Sequence, residues 1–397
     1  MKILQNCLLP HAFACFLTLL LLQLPVQADD IKLTEGTPEE VGMSAAVVKA
    51  GATLFEEAVE KDELRGVVLL VARRGKIVLH QAIGWSNKEE KVPMRKDSLF
   101  RMASNTKPVT TTALLMLKDQ GKLSMDDNVC KHLPAWDNHR AGFIKLKHLA
   151  SHTSGLRISP TFIKPLWEKS EEYPDAPCLR AEADRFGKIG AVEVPGTTFQ
   201  YNNAGFNTLG AVIEQVAGQP VKDFFREKIY APLKMSNTWN YEADAPHDRM
   251  CRVYSRKGSK WTIQWSPGDE PDWPFVRTSG GMITTAADYA IFLQMILNEG
   301  VYDGHRILRP ESVTAATSIQ TESAYSASDF AARQKFYGYG WFVDRAGIKS
   351  HGGSDGTYAW IDPERQILGI VLTQSPGGRN PREQFRQVIT AACYAGK

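Results

Sequence analysis

Residues 350–360 read "SHGGSDGTYAW", and two incompatible patterns overlap in them. Gly352-Gly353-Ser354-Asp355-Gly356 is a literal G-x-S-x-G, the strained strand-to-helix turn that carries the nucleophile of α/β-hydrolases. His351-Gly352-Gly353 is an H-x-G, a strand that serves a nucleophile supplied from elsewhere. Chain order separates the two. The α/β-hydrolase triad runs serine, acid, histidine, and no histidine follows Ser354. That turn also needs a helix directly after its serine, whereas "TYAWID" (357–362) consists largely of β-formers. The G-x-S-x-G is therefore a chance match in a chain with 31 glycines, and Asp355 reads as a turn residue.

The serine must then be sought upstream. Ser104-Asn105-Thr106-Lys107 is the only S-x-x-K in the chain, and it opens an apolar helical stretch, "VTTTALLMLKDQ". Residues three apart share a helix face, so the Lys107 amine is held beside the Ser104 hydroxyl. A serine hydroxyl needs a base at neutral pH, and a lysine supplies one when the helix N-terminus and nearby cations lower its pKa. Alone, the pattern fits a capping serine and a surface lysine equally well. Two further single-copy patterns follow in order: Tyr201-Asn202-Asn203 as Y-x-N, then His351-Gly352-Gly353. A phenol relays protons; an amide holds a substrate carbonyl or the lysine.

The rest of the chain arranges itself around these motifs. "VVLLVA" (67–72) and "IVLHQA" (77–82) form a hairpin around the turn Arg73-Arg74-Gly75-Lys76. "YGYGWFVD", "GIKSHGG", "TYAWID" and "ILGIVLTQ" predict four more short strands near the C-terminus, with "DPER" (362–365) as a turn and a final helix over about 382–394. Helices are expected over 107–120, 207–217, 221–229 and 286–298, the last capped by Thr284-Thr285. Segments 157–190 and 239–278, rich in proline and tryptophan, read as long loops. Strands from both chain ends thus enclose a helical middle. The expected fold is α/β (α+β): an antiparallel sheet from both ends, flanked by helices, with an inserted helical lobe and a cleft between lobes. The sheet lobe is expected over about 29–100 and 280–397, the helical lobe over about 101–279.

Composition narrows the function classes. The chain is 43% hydrophobic and 23% charged with a net charge of +3, which suits a globular protein. No basic stripe occurs, so nucleic acid is not an expected partner. Lys2 is the only charged residue before Asp29, and the apolar run 13–24 followed by Val26-Gln27-Ala28 predicts a cleaved secretory leader over 1–28. The run is too short to favour a membrane span, so no stable span is expected after cleavage, and the site of action is periplasmic or secreted. Export permits disulfides, and Cys130, Cys178, Cys251 and Cys393 allow three full pairings or free thiols.

The ordered triplet S-x-x-K, Y-x-N, H-x-G resembles the serine hydrolase family of class C β-lactamases, D-alanyl-D-alanine carboxypeptidases and family VIII carboxylesterases. "FRMASNTKPVTTTALLMLKDQGKLSMDDNV", "LASHTSGL" (149–156), "PGTTFQYNNAGFNTLGAVIEQVAGQP", "SGGMITTAADYAIFLQMILNEG" and "YGYGW" extend the resemblance over about 41–389. It implies a β-lactamase/transpeptidase-like fold. It also implies Ser104 as nucleophile, Lys107 as acylation base, and Tyr201 as proton relay or alternative base. Asn203 would fix Lys107 and the substrate carbonyl. His351, Gly353 and Ser354 would bind substrate, with the amides of Ser104 and Ser354 as oxyanion hole. Gly352 and Gly353 would let the strand lie close to the nucleophile helix. No metal or organic cofactor is implied. The lactamase Lys-Thr-Gly strand is missing, which weakens recognition of an anionic acyl donor. Ester or small amide hydrolysis is therefore favoured over β-lactam or D,D-peptide hydrolysis, with a non-catalytic scaffold as the remaining alternative. Arg277 and Lys349 are the candidates for a carboxylate pocket. The tryptophan-rich stretch 261–277 is expected to furnish an apolar wall, His152 to be structural, and Trp341 and Trp360 to pack in the core.

Overall fold

A computed structural model describes residues 30–158 and 167–395. The leader expected over 1–28 lies outside the described residues. The first long strand, β1 (Gly66–Arg73), is buried along its whole length. Its pleat sends alternate side chains to opposite faces. Val67, Leu69 and Val71 join one cluster with Phe55, Trp360, Phe385 and Ile389. Val68, Leu70 and Ala72 join a second with Phe292, Leu293 and Ile370. Helices therefore cover both faces: α1 (Ala45–Glu60) and the C-terminal Arg382–Ala395 on one, Ala286–Leu297 on the other. A continuous apolar run is what a strand buried on both faces requires.

Strand β2 (Lys76–Asn87) returns beside β1 through Arg74 and Gly75, both at positive φ, as a two-residue hairpin turn demands. The sheet continues through β3 (Lys335–Tyr337), β4 (Phe342–Asp344), β5 (Lys349–Gly352), β6 (Tyr358–Asp362) and β7 (Ile367–Thr373). The sheet runs β2-β1-β7-β6-β5-β4-β3. These neighbours are all antiparallel, so the two chain ends meet where β1 pairs with β7. A two-residue strand, Thr34–Glu35, adds in parallel outside β2, the one departure from an antiparallel sheet among these pairings. The fold is the β-lactamase/transpeptidase-like one, with a helical lobe carried by α2 (Thr106–Asp119), α3 (Leu179–Ile189) and α4 (Asn203–Ala217) between the two sheet-forming ends; the helices over Ala286–Leu297 and Arg382–Ala395 are α5 and α6.

Five local expectations change. "YGYGWFVD" is two strands, because Gly340 takes φ 78° and turns the chain between β3 and β4. The segment 157–190 holds helix α3, and 239–278 holds a hairpin, Val253–Lys257 with Lys260–Trp265, turned at Gly258. Helix α4 starts at Asn203, four residues before its apolar pattern, because the Asn202 side chain caps it by accepting from the Gly205 N–H. The predicted helix over 221–229 is α-helical only over Val221–Phe225 and widens to a π turn at Arg226–Tyr230. Cys130, Cys178, Cys251 and Cys393 are all free thiols. Trp341 and Trp360 are each 1% exposed, in the core as expected. No helix among the described residues is long and apolar enough to cross a membrane.

Candidate active site

Ser104 sits in a 3-10 turn, Ala103–Asn105, that feeds directly into α2. The residue before it, Ala103, holds φ at 45°, a left-handed conformation that costs a non-glycine residue about 1–3 kcal/mol. Hydrogen bonds on every side over-determine that turn. Thr106 Oγ1 donates to the Ala103 carbonyl at 2.7 Å and accepts from the Met282 N–H at 3.0 Å. Asn105 Nδ2 donates to Thr357 Oγ1, which donates on to the Met102 carbonyl, at 2.9 and 3.0 Å. Tyr289 Oη donates to the Asn105 carbonyl at 3.0 Å. The turn holds Ser104, only partly buried, at the wall of a cavity of about 310 Å³.

One helical turn on, Lys107 is fully buried. Its Nζ lies 3.0 Å from Ser104 Oγ, 2.8 Å from Asn203 Oδ1 and 2.8 Å from the Ser279 carbonyl oxygen. Burial, and then the positive charge of Arg277, hold its pKa well below the ordinary lysine value. A neutral amine has two hydrogens and one lone pair. Two of its three neighbours are carbonyl oxygens, which only accept. Both hydrogens are therefore committed to Asn203 and Ser279, and the lone pair faces the one neighbour able to donate, the Ser104 hydroxyl.

The Tyr201 phenol lies beside the same serine, whose hydroxyl acts to lower the phenol's pKa. Burial pushes this phenol above its ordinary value although the residue as a whole is 37% exposed, so it stays protonated at neutral pH. Its ring lies 4.7 Å from Lys107 Nζ and 4.3 Å from the His152 ring, and stacks on Phe342. His152, 2% exposed, holds the Y-x-N turn: its Nδ1 accepts from the Asn202 N–H at 3.0 Å, and its carbonyl accepts from the Gln200 N–H at 2.8 Å.

His351 is 1% exposed and does not line the cavity. Its Nδ1 lies 2.9 Å from the Gly352 carbonyl, so that nitrogen carries the hydrogen, and Nε2 accepts from Tyr337 Oη at 3.0 Å. Burial, then Lys107, push its pKa down to about 3, so it is neutral at physiological pH. Gly353 packs where no side chain fits: an added Cβ would lie 2.3 Å from Thr357 Oγ1 and 2.4 Å from the Met102 carbonyl. A Cβ at Gly352 would meet the end of the Arg382 side chain at 3.3 Å and the Thr357 carbonyl at 3.5 Å, neither in the nucleophile turn, so the close approach to that turn belongs to Gly353. Ser354 is exposed on the turn between β5 and β6, and its hydroxyl donates to Asp355 Oδ1 at 3.0 Å. A strand follows it, not a helix, which removes the α/β-hydrolase reading.

The cavity wall opposite Ser104 is polar, contrary to the apolar wall expected from 261–277. Arg101 contacts Asp272 at 2.6 Å, Asp355 at 3.3 Å and Glu242 at 3.6 Å. Trp265 and Trp273 are present but stacked under cations, Arg101 at 4.9 Å and Arg277 at 4.6 Å. Arg277 lines the cavity without an ion pair inside 4.0 Å among the described residues, whereas Lys349 is turned back onto the Gly347 carbonyl and is not part of the lining.

Residues 42–392 match the family model described as Beta-lactamase. The chain belongs to the beta-lactamase family. Protein Rv1367c of Mycobacterium tuberculosis is 27% identical over 355 residues, which cover 81% of this chain and 88% of that one. Penicillin-binding protein 4 of Amycolatopsis lactamdurans is 27% identical over 310 residues, 75% of each chain. Among solved structures, "EstCE1, a hydrolase with promiscuous acyltransferase activity" shares the fold at a TM-score of 0.71 and 23% identity, over 88% of this chain and 99% of that one. As a member of the beta-lactamase family the protein is a serine hydrolase. Within that family's fold, Ser104, Lys107, Tyr201 and Asn203 converge on one point; Gly353 and His351 lie behind it, and Ser354 borders the cavity. Arg101, Asp272 and the Ser279 carbonyl escaped the sequence reading, because each acts through partners more than fifty residues away and none belongs to a short motif.

Proposed function

We propose that this protein hydrolyses ester or small amide bonds through an acyl-enzyme on Ser104. One observation carries the reading: of the three groups around the Lys107 amine, only Ser104 can give it a proton. In acylation the Ser104 hydroxyl passes its proton to Lys107 Nζ while Oγ attacks the acyl carbonyl. The amides of Ser104 and Ser354 stabilise the resulting oxyanion. The Tyr201 phenol, protonated at neutral pH and 4.7 Å by its ring from Lys107 Nζ, gives its proton to the leaving group and is reprotonated from Lys107. Water repeats the sequence on the acyl-enzyme, freeing the acid. Lys107 rather than Tyr201 is the base, since a phenol raised above its ordinary value is a poor proton acceptor at neutral pH. His351 shapes the strand and carries no charge with which to hold a substrate carboxylate.

A second reading, hydrolysis of acyl donors that bear a carboxylate, such as β-lactams or D,D-peptides, rests on Arg277 in the cavity wall. The natural reading of residues 1–28 adds export to the proposal. The test is a panel assayed side by side: a short-chain nitrophenyl ester, a chromogenic cephalosporin and a D-Ala-D-Ala peptide, with wild type and Ser104→Ala. The ester is expected to turn over fastest and only with wild type. A faster cephalosporin or peptide reaction, lost in Arg277→Gln, selects the second reading. Equal turnover by Ser104→Ala overturns both.

A further inference from the structure

Glu182, on α3, is 0% exposed and plays no part in the reaction as described. Its Oε2 accepts from Asn207 Nδ2 at 3.0 Å. Asn207 Oδ1 accepts from the Ser279 N–H at 3.0 Å. The Ser279 carbonyl in turn accepts from Lys107 Nζ at 2.8 Å. Every member of this series is buried: Asn207 and Lys107 fully, Ser279 at 3% exposure. The second carboxyl oxygen of Glu182, Oε1, has no hydrogen-bond partner among the described residues. An ordinary structural carboxylate in a core has both oxygens satisfied, so a half-satisfied one marks a group that is not held permanently ionised.

We propose that Glu182 is a positioning residue of this site: when ionised, it strengthens Lys107 as a base through Asn207 and the Ser279 backbone. The inference rests on the reading of Lys107 as the acylation base. A carboxylate binds the Asn207 amide more tightly than a neutral carboxyl does, because charge-assisted hydrogen bonds are the stronger ones. A polarised Asn207 holds the Ser279 N–H harder and fixes the carbonyl that receives the Lys107 hydrogen. The negative charge itself favours the ammonium that forms when Lys107 takes the Ser104 proton. Each effect pushes acylation in one direction.

The ionisation falls in a useful range. Burial pushes the Glu182 carboxyl up to about 7, against the opposing pull of Arg185, the Asn207 hydrogen bond and Arg277. These are the groups that face it: Arg185 from its own helix, Arg277 from the strap that leads into Ser279, and Asn207 from α4. The Trp136 turn packs on the same helix and brings only an indole, which donates to the Ala183 carbonyl. Activation of Ser104 should therefore rise as pH climbs through neutrality and Glu182 loses its proton.

The test is the rate at which a fluorophosphonate labels Ser104, measured against pH with thermal melts in parallel. Glu182→Gln keeps an oxygen to accept from Asn207 but cannot ionise. It is expected to match wild type at about pH 6 and to be slower by about threefold to tenfold at about pH 8. Glu182→Asp, which can still ionise, is expected to restore part of the rise. A Glu182→Gln profile parallel to wild type, whether at the same height or uniformly lower with a reduced melting temperature, overturns the proposal and leaves Glu182 merely structural. Lys107→Met separates the two layers. If it labels at the wild-type rate, the base reading itself fails; if it is inert while Glu182→Gln tracks wild type, only the Glu182 proposal fails.

Discussion

A lysine at 0% exposure is costly as an ammonium, and that cost favours the neutral amine, the form able to take a proton from Ser104. Arg277 is the second cause of the depressed Lys107 pKa, after burial. With Lys107 as the proposed base, activity requires the neutral amine and is expected to appear as pH rises through the Lys107 pKa. Removing the Arg277 charge lets that pKa rise, and Arg277→Gln should move the acid limb of kcat/KM to higher pH. A limb that stays in place or moves to lower pH would show that Arg277 does not act on the base. At this scale the sequence was most legible where candidate side chains share a short motif and the fold brings them together: Ser104 with Lys107, and Asn203 of the Tyr201 motif with Lys107. Arg277 was reached on position alone, and Arg101 and Glu182 were hidden because their partners are tens to hundreds of residues away. Arg101 and Asp272, for instance, are 171 apart.

Elements bring those residues together, and the tightest seam lies between the β5–β6 turn and the nucleophile turn. A methyl at Gly353 would press on Thr357 Oγ1 and the Met102 carbonyl, two groups already bonded to one another. Neither is the free end of a flexible side chain. Gly353→Ala should therefore lower stability by about 1–3 kcal/mol and displace Ser104, with a fall in kcat. Gly352→Ala meets the movable Arg382 guanidinium and, at an ordinary 3.5 Å, the Thr357 carbonyl, and should leave melting temperature and kcat near wild type. Equal behaviour of the two variants, read by thermal melts and ester turnover, would contradict this account of the seam. The same elements show what pattern reading reaches. The β1–β2 hairpin was plain because an apolar run met a turn that tolerates positive φ. Helix α3 was missed because its buried face includes Glu182 and Asp184, which break the apolar stripe. The hairpin at 253–265 was missed although its return strand alternates polar and apolar residues, because the prolines and tryptophans around it read as a long loop.

At the scale of the whole molecule, sheet and helical lobe are not separate bodies with a site between them so much as one packed unit. The cluster that takes Val68, Leu70 and Ala72 from β1 also takes Leu114 from α2, Phe186 from α3 and Leu209 from α4. The segment 277–282 then stitches α2 to α4: Thr110 Oγ1 donates to the Thr278 carbonyl, and Thr278 Oγ1 to the Phe206 carbonyl. Such a frame fixes where Ser104 points, while Ser354 is left on an exposed turn with only Asp355 beside its hydroxyl. The central claim is thus that Ser104, and not Ser354, carries the acyl group. The direct measurement is to mix the protein with a short-chain nitrophenyl ester, quench in acid during the first turnovers, digest, and map the acyl adduct by mass spectrometry. The account predicts the adduct on the peptide containing Ser104, and none in Ser104→Ala. An adduct on Ser354, or full labelling and turnover by Ser104→Ala, would contradict it.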